Sequence, residues 1–289
     1  MHAQSGFSNQ EMAMTIVNRV LRGTLLGSVL MVAAAVLGCA TLRLADVPSA
    51  RPPHRPIVIR DIRHGIVNSL NWSGYAVTGA PGSVTNAKGS WIVPSIQGAC
   101  GASNQYASFW VGIDGFNSNT VEQIGVDADC QTGVPTYYAW FELYPHPFFI
   151  INGFTISPGN TVSAEVQYDG GGRFTLSITN VTTGQSFSTS AKVHSAQRSS
   201  AEWIAEAPSG ASGVLPLADF GTASYGFDTT AVSSTCDATV NGTTGGIGGF
   251  GASIQQITMV SNSGRIKAQP SSLSSDGASF SDSWVSSGP

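Results

Sequence analysis

The chain has 289 residues, enough to bury a sizeable core, and only 10% of its side chains are charged, with a net charge of −4. That balance excludes broad electrostatic attraction to nucleic acid. Gly, Ser, Thr and Val are plentiful and helix-forming runs are missing after residue 45, so the composition predicts an all-β protein.

Residues 1–40 read as an export signal. Arg19 and Arg22 precede TLLGSVLMVAAAVLG, an apolar run short for a bilayer span, and cleavage after Ala40 suits the small-residue rule. VLGC at 36–39 also resembles a lipoprotein signal, in which Cys39 would carry the lipid, and a retained anchor is the third option. The expectation is a secreted, extracellular protein, free or held at Cys39.

Residues 41–70 are Pro-rich, lack a core pattern and read as a propeptide or linker. They hold five arginines against two aspartates, a net +3, whereas residues 71–289 hold six basic and fourteen acidic side chains, a net −8. A basic segment before an acidic domain is expected to dock over the acidic cleft at neutral pH and to be released as carboxylates take up protons.

From Asn71 to the end, short β-rich runs alternate with Gly, Asn, Asp and Ser turns, as a β-sandwich requires. The clearest hairpin series is TVSAEVQYDGGGRFTLSITNVTTGQSFSTS, with turns at 169–172 and 182–184. Cys100 and Cys130 sit in turn-rich stretches flanking two predicted strands and are expected to form a disulfide in an exported protein. Cys236 is left over.

The period-2 pattern assigns faces. In YASFWVGID, Phe109, Val111 and Ile113 share one face, and Tyr106, Trp110 and Asp114 the other. In TVEQIGVD, Glu122, Ile124 and Val126 alternate with Val121, Gln123 and Asp127. In YYAWFELYP, Ala139, Phe141 and Leu143 alternate with Tyr138, Trp140, Glu142 and Tyr144. Each strand has an aliphatic face, with Glu122 as the exception, and a second face mixing large aromatics with carboxylates and amides. A merely solvated face would carry Lys, Thr and Ser, so the second face reads as a binding groove. In SAEWIAE, Trp203 and Ala205 point one way while Glu202, Ile204 and Glu206 point the other. On pattern alone, Glu202 is either a carboxylate in that groove or a group bonded to a neighbouring strand with no further role.

Familiar catalytic sets are missing. Residues 71–289 contain only His146 and His194, and there is no G-x-S-x-G elbow, H-E-x-x-H or Cys/His cluster, so no metal and no cofactor are expected. GIGGFG at 246–251 precedes a β-like run instead of opening a helix and reads as a loop. Carboxylates and amides remain.

NWSGY (71–75), FWVGIDG (109–115), EQIGVD (122–127), YYAWFELYP (137–145), NVTTGQS (180–186) and SAEWIAE (200–206) occur in the order seen in glutamic peptidases. The chain therefore resembles the eqolisin family over most of residues 71–225. The resemblance implies a β-sandwich of two antiparallel sheets of about seven strands each, a concanavalin/lectin-like jelly roll, and an acid endopeptidase without a cofactor. It implies Gln123 and Glu202 as the catalytic dyad, with Trp72, Asp114, Trp140, Glu142 and Tyr144 lining the cleft. Two departures, Leu143 where the family tends to have Trp and EQIG in place of LQTG, bear on subsite preference. The expected partners are a peptide or protein substrate and the chain's own basic propeptide, the protein being a monomer. Two rivals stay open: a glycoside hydrolase using Glu142 and Glu202 as paired carboxylates, and a non-catalytic sugar- or peptide-binding module.

Overall fold

The computed structural model describes residues 52–64, 66–101 and 103–288, so the export signal expected in residues 1–40, Cys39 included, lies outside the described residues. The elements, in chain order, begin with β1 (Ile59–Arg63), β2 (Ile66–Ser69), β3 (Trp72–Thr78), β4 (Val84–Ile92), β5 (Ser108–Ile113) and β6 (Val121–Gln131). There follow β7 (Val134–Tyr144), β8 (Phe149–Ile150), β9 (Thr161–Gly170), β10 (Arg173–Asn180), β11 (Gln185–Lys192) and β12 (Ser200–Glu206). Then come β13 (Ser209–Gly210), β14 (Gly213–Val214), β15 (Thr222–Tyr225), the one-turn helix α1 (Phe227–Thr230), β16 (Asp237–Val240) and β17 (Thr243–Gly246). A 3₁₀ segment at Ile247–Ser253 occupies the GIGGFG stretch, and β18 (Ile254–Val260), β19 (Ile266–Pro270) and β20 (Phe280–Trp284) complete the chain.

One layer runs β8–β7–β6–β5–β12–β3–β18, all antiparallel, and β18 also pairs with β19 and, in parallel, with β2. The other runs β11–β10–β9–β4, with β15 and β16 both on β4. Strand β20 pairs with β15 and β19, which joins the layers along one edge, so 18 strands form one hydrogen-bonded network beside the separate β13–β14 pair. This is an all-β protein of the β-sandwich type.

The main core lies between the layers. Phe109, Val111, Ile113, Ile124, Val126, Phe141, Trp203 and Ala205 meet Trp91, Val162, Val166, Phe174, Leu176 and Ile178 there, all buried. Trp203 Nε1 donates to the Lys88 carbonyl at 2.8 Å, which satisfies the one polar atom of that ring. The alternation expected for β5, β7 and β12 is what the strands show: their aliphatic sets enter this core and their aromatic and acidic sets face the other way.

Cys100 and Cys130 form a disulfide with Cα atoms 5.3 Å apart, bridging 30 residues of sequence, and Cys236 is free and buried. A loop of that length is expected to contribute about 3–4 kcal/mol through the unfolded chain. Chemical denaturation of a Cys100→Ser/Cys130→Ser variant measures it, and a loss below about 1 kcal/mol would show that the loop is held by its other contacts.

Candidate active site

The face of the first layer that points away from the main core is organised by strand register. Directly opposed residues in antiparallel strands project to the same side, so each set of paired residues forms a row. The first row is Ala76, Glu202, Gly112, Gln123 and Glu142, on β3, β12, β5, β6 and β7. The second is Gly74, Ile204, Trp110, Gly125 and Trp140, and the third is Trp72, Glu206, Ser108, Asp127 and Tyr138.

Two glycines shape this floor. A Cβ on Gly112 would lie 2.9 Å from the Trp110 ring and 3.3 Å from Gln123 Cβ, so glycine there makes room for the Trp110 ring between Glu202 and Gln123. Those two residues are two strand spacings apart, roughly 10 Å between Cα atoms. A Cβ on Gly125 would come within 2.5 Å of Trp110 Cβ, so only glycine lets Trp110 stand between β12 and β6. Trp110 in turn meets Trp72 edge to face, with ring centroids 4.9 Å apart.

The groove is filled by the chain's own residues 52–58. His54 is fully buried, its ring stacked on Trp140 at 3.7 Å with a 3° interplanar angle and edge-on to Phe148. Its Nε2 lies 3.3 Å from Asp127 Oδ1 and its Nδ1 3.5 Å from Glu142 Oε2. The backbone of this strap is bound residue by residue. Gln123 Nε2 donates to the His54 carbonyl at 3.0 Å, and the His54 N–H donates to Glu142 Oε2 at 3.1 Å. The Arg55 N–H donates to Glu206 Oε1, while Trp72 Nε1 donates to the Arg55 carbonyl. Ser209 N–H donates to the Pro53 carbonyl, and Asn71 Oδ1 accepts from the Val58 N–H. The missing core pattern in residues 41–70 is therefore compatible with packing, because the strap is held mainly through its main chain.

The electrostatics follow from burial. Burial pushes the Glu202 carboxyl well above its usual range, the Asp114 and Glu122 charges push the same way, and the Ser200 hydroxyl partly offsets them. Among the described residues, Gln123 Oε1 and both Glu202 oxygens have no hydrogen-bond partner, the Ser200 hydroxyl standing near Glu202 outside bonding geometry. Burial raises Glu142 too, against the pull of His54, and pushes Glu206 up to about 8 despite a bond from Trp110 Nε1 at 2.9 Å. Burial alone would lower His54, but Asp127 and Glu142 win and hold it well above the ordinary imidazole value. Asp127 is also desolvated, yet His54, Ser108 and Tyr138 together keep it below the ordinary carboxylate value. Burial thus favours the uncharged form of Glu202, Glu142 and Glu206, while His54 and Asp127 favour each other's charged form.

Gln123, Glu202, Trp140, Glu142 and Trp72 all stand on this face, and the half-buried Tyr144 packs at its edge. Asp114 also carries a structural load. At φ 73° it ends β5, and its carboxylate accepts from the backbone N–H groups of Arg198 and Ser199 and from the Ser199 hydroxyl. It ties down the turn that leads into β12, the strand that carries Glu202. Glu122, the exception in the alternation, lies on the opposite face from Gln123, fully buried and raised by burial and by Asp114. The sequence places Asp127 and Glu206 on the groove face without assigning them to the site, and it puts His54 in the segment expected to cover the cleft without giving it a contact there. A lone histidine among prolines gives no period to read.

A model of the peptidase A4 family matches residues 70–276. Aspergillopepsin-2 of Aspergillus niger is 30% identical over 210 residues, covering 63% of this chain and 73% of its own. Scytalidopepsin B of Scytalidium lignicola is 34% identical over 140 residues, 47% of this chain and 51% of its own. Among solved structures, scytalido-glutamic peptidase with a transition state analog inhibitor superposes with a TM-score of 0.61 at 26% identity, covering 74% of this chain and 98% of that one. With the family pattern spanning most of the strand network described above, this chain belongs to the peptidase A4 family, the eqolisins.

Proposed function

We propose that the protein is a secreted acid endopeptidase in which Glu202 and Gln123 hydrolyse peptide bonds. The observation that carries this reading is the bond from Gln123 Nε2 to a backbone carbonyl, that of His54, at 3.0 Å in the row that also bears Glu202. An amide donor on a peptide carbonyl is what an oxyanion site requires. In the proposed reaction ionised Glu202 takes one proton from a water as its oxygen attacks the carbonyl carbon. Gln123 donates to the oxygen that becomes negative. The tetrahedral intermediate then collapses, the C–N bond breaks, and Glu202 returns the proton to the departing nitrogen. Glu142 accepts a second bond from Gln123 Nε2 at 3.1 Å and so orients the amide. Once the groove is open, water solvates Glu202 and brings it back toward the ordinary carboxylate range, where it can act as a base in acid.

In this reading residues 1–40 direct export, residues 41–70 are a propeptide whose strap covers the cleft, and residues 71–289 are the peptidase, on a jelly-roll sandwich of about seven strands per sheet. The family match begins at residue 70, which supports treating the preceding segment as an addition to the peptidase. Among the described residues no helix is long and apolar enough to cross a membrane. The purified full chain, incubated at pH 3 and pH 6 with acid-denatured protein and with β-glucan, tests the function. New peptides at pH 3 and no released sugar are expected. Sugar release, or intact protein at pH 3 after the strap has been removed, overturns the proposal.

A further inference from the structure

The strap has a property that bears on substrate choice, and this reading rests on the peptidase function proposed above. Residues 53–58 lie in the groove, with main-chain groups bonded by Gln123, Glu142, Glu206, Trp72 and Asn71. None of those bonds depends on the strap's side chains, so another peptide could make them. The residue whose carbonyl meets Gln123 is His54, and its side chain enters a built subsite. Trp140 supplies a flat floor, Phe148 an edge, and a carboxylate stands at each ring nitrogen. Asp127 is fixed there before any ligand arrives. Tyr138 donates to its Oδ2 at 2.5 Å and Ser108 donates to its Oδ1.

We infer that Asp127, over the Trp140 floor, is a specificity-determining residue that selects histidine at the substrate position whose carbonyl Gln123 holds. A flat cation satisfies both demands of the subsite, stacking on the indole and pairing with Asp127. Phenylalanine would stack but leave the Asp127 carboxylate desolvated and unpaired, which disfavours it. Lysine would bring charge on a flexible stem with no ring to stack. Leucine would do neither.

The test uses four peptides identical except for His, Phe, Lys or Leu at one position, cleaved at pH 4 by the acid-processed full chain, with products mapped by mass. At that pH histidine is protonated in solution. Cleavage after His is expected to exceed cleavage after each of the others by about tenfold or more in kcat/KM. Asp127→Asn should bring the His/Phe ratio down toward one, a change that general loss of activity would not produce. If the wild-type enzyme cuts the peptides but prefers Phe or Leu, or shows no preference, the inference is wrong while the peptidase function stands. If Asp127→Asn keeps the His preference, Asp127 is not the determinant. If no peptide is cut, the underlying peptidase reading fails as well. Should Asp127→Asn not fold, the wild-type series still decides.

Discussion

Glu202→Gln is expected to leave the fold intact and to remove turnover, by about 10³-fold or more. Survival of the fold follows from the site. Burial holds the Glu202 carboxyl well above its usual range, which favours its uncharged form in the covered groove, and an amide of the same shape replaces that form at little cost. Loss of turnover follows because no other group in the first row can replace Glu202 as the base. Gln123→Ala removes the donor to the oxyanion and should lower kcat by about 10²–10³, with smaller change in KM. Glu142→Gln should be milder, because in the proposed mechanism Glu142, which accepts from Gln123 Nε2 at 3.1 Å, orients that amide and takes no part in proton transfer. A glycosidase would behave differently: Glu142 and Glu202 would be equally essential and Gln123 dispensable. Steady-state cleavage of an acid-denatured protein by each variant, checked for folding by circular dichroism, separates these outcomes. A folded Glu202→Gln enzyme within about tenfold of wild type would remove Glu202 as the base.

The stability of the full chain is expected to peak near pH 4 and to fall steadily toward pH 8. Burial pushes Glu206 up to about 8 against its bonds from Trp110 and Arg55, and pushes Asp282 up to about 8 against a bond from Ser73 at 2.9 Å. A carboxyl with a raised folded value binds its proton more tightly when folded. Its contribution is therefore fully present below the unfolded value and is lost as pH rises to the folded one. His54 acts in the same direction, since its raised value stabilises the fold below the ordinary imidazole range and is lost on deprotonation. Asp276 sets the acid side. Although slightly desolvated, it is pulled down to about 2 by bonds from the Ser279 hydroxyl and the Ser279 and Ala278 N–H groups, so its contribution disappears as pH falls through that value. The alkaline loss from the two raised carboxyls is on the order of several kcal/mol, large against the usual net stability of a domain. Thermal melts from pH 2 to 8 measure it. Asp282→Asn, neutral at every pH, should flatten the decline above pH 5 while changing little at pH 4. A melting temperature that stays level or rises from pH 4 to 8 would show that these carboxyls are better solvated than their burial indicates.

Much of the site was legible from spacing alone. Alternation in FWVGI, EQIGVD, YAWFEL and AEWIAE assigns a core face and a groove face, because successive strand side chains point to opposite sides whatever the rest of the chain does. Placing Gln123, Trp140 and Glu142 on groove faces needs nothing more, whereas Glu202 stayed open on pattern alone, and order along the chain suffices for the resemblance to glutamic peptidases. The pairing of Cys100 with Cys130 was also within reach, as two turn cysteines flanking adjacent strands in a chain that bears an export signal.

Which residues share a row was decided only by the tertiary structure. Glu202 shares a row with Gln123 across Gly112 because β12 pairs with β5 in one register, and Asp114 ties the chain before β12 through the backbone of Arg198 and Ser199, 84 and 85 residues away. No local pattern encodes such a contact, so the bonds of Asp114 to the chain before β12 were not legible in the sequence. That the basic segment docks over the acidic domain was legible in its charge, but the strap's path through the groove was not, for the same reason. Its partners Glu142 and Glu206 lie 88 and 151 residues downstream, and it binds through main-chain groups that every residue possesses. Periodicity reports side chains that choose a face. It carries no record of a segment held by its backbone, and His54 therefore became a site residue only when the chain folded back over its own cleft.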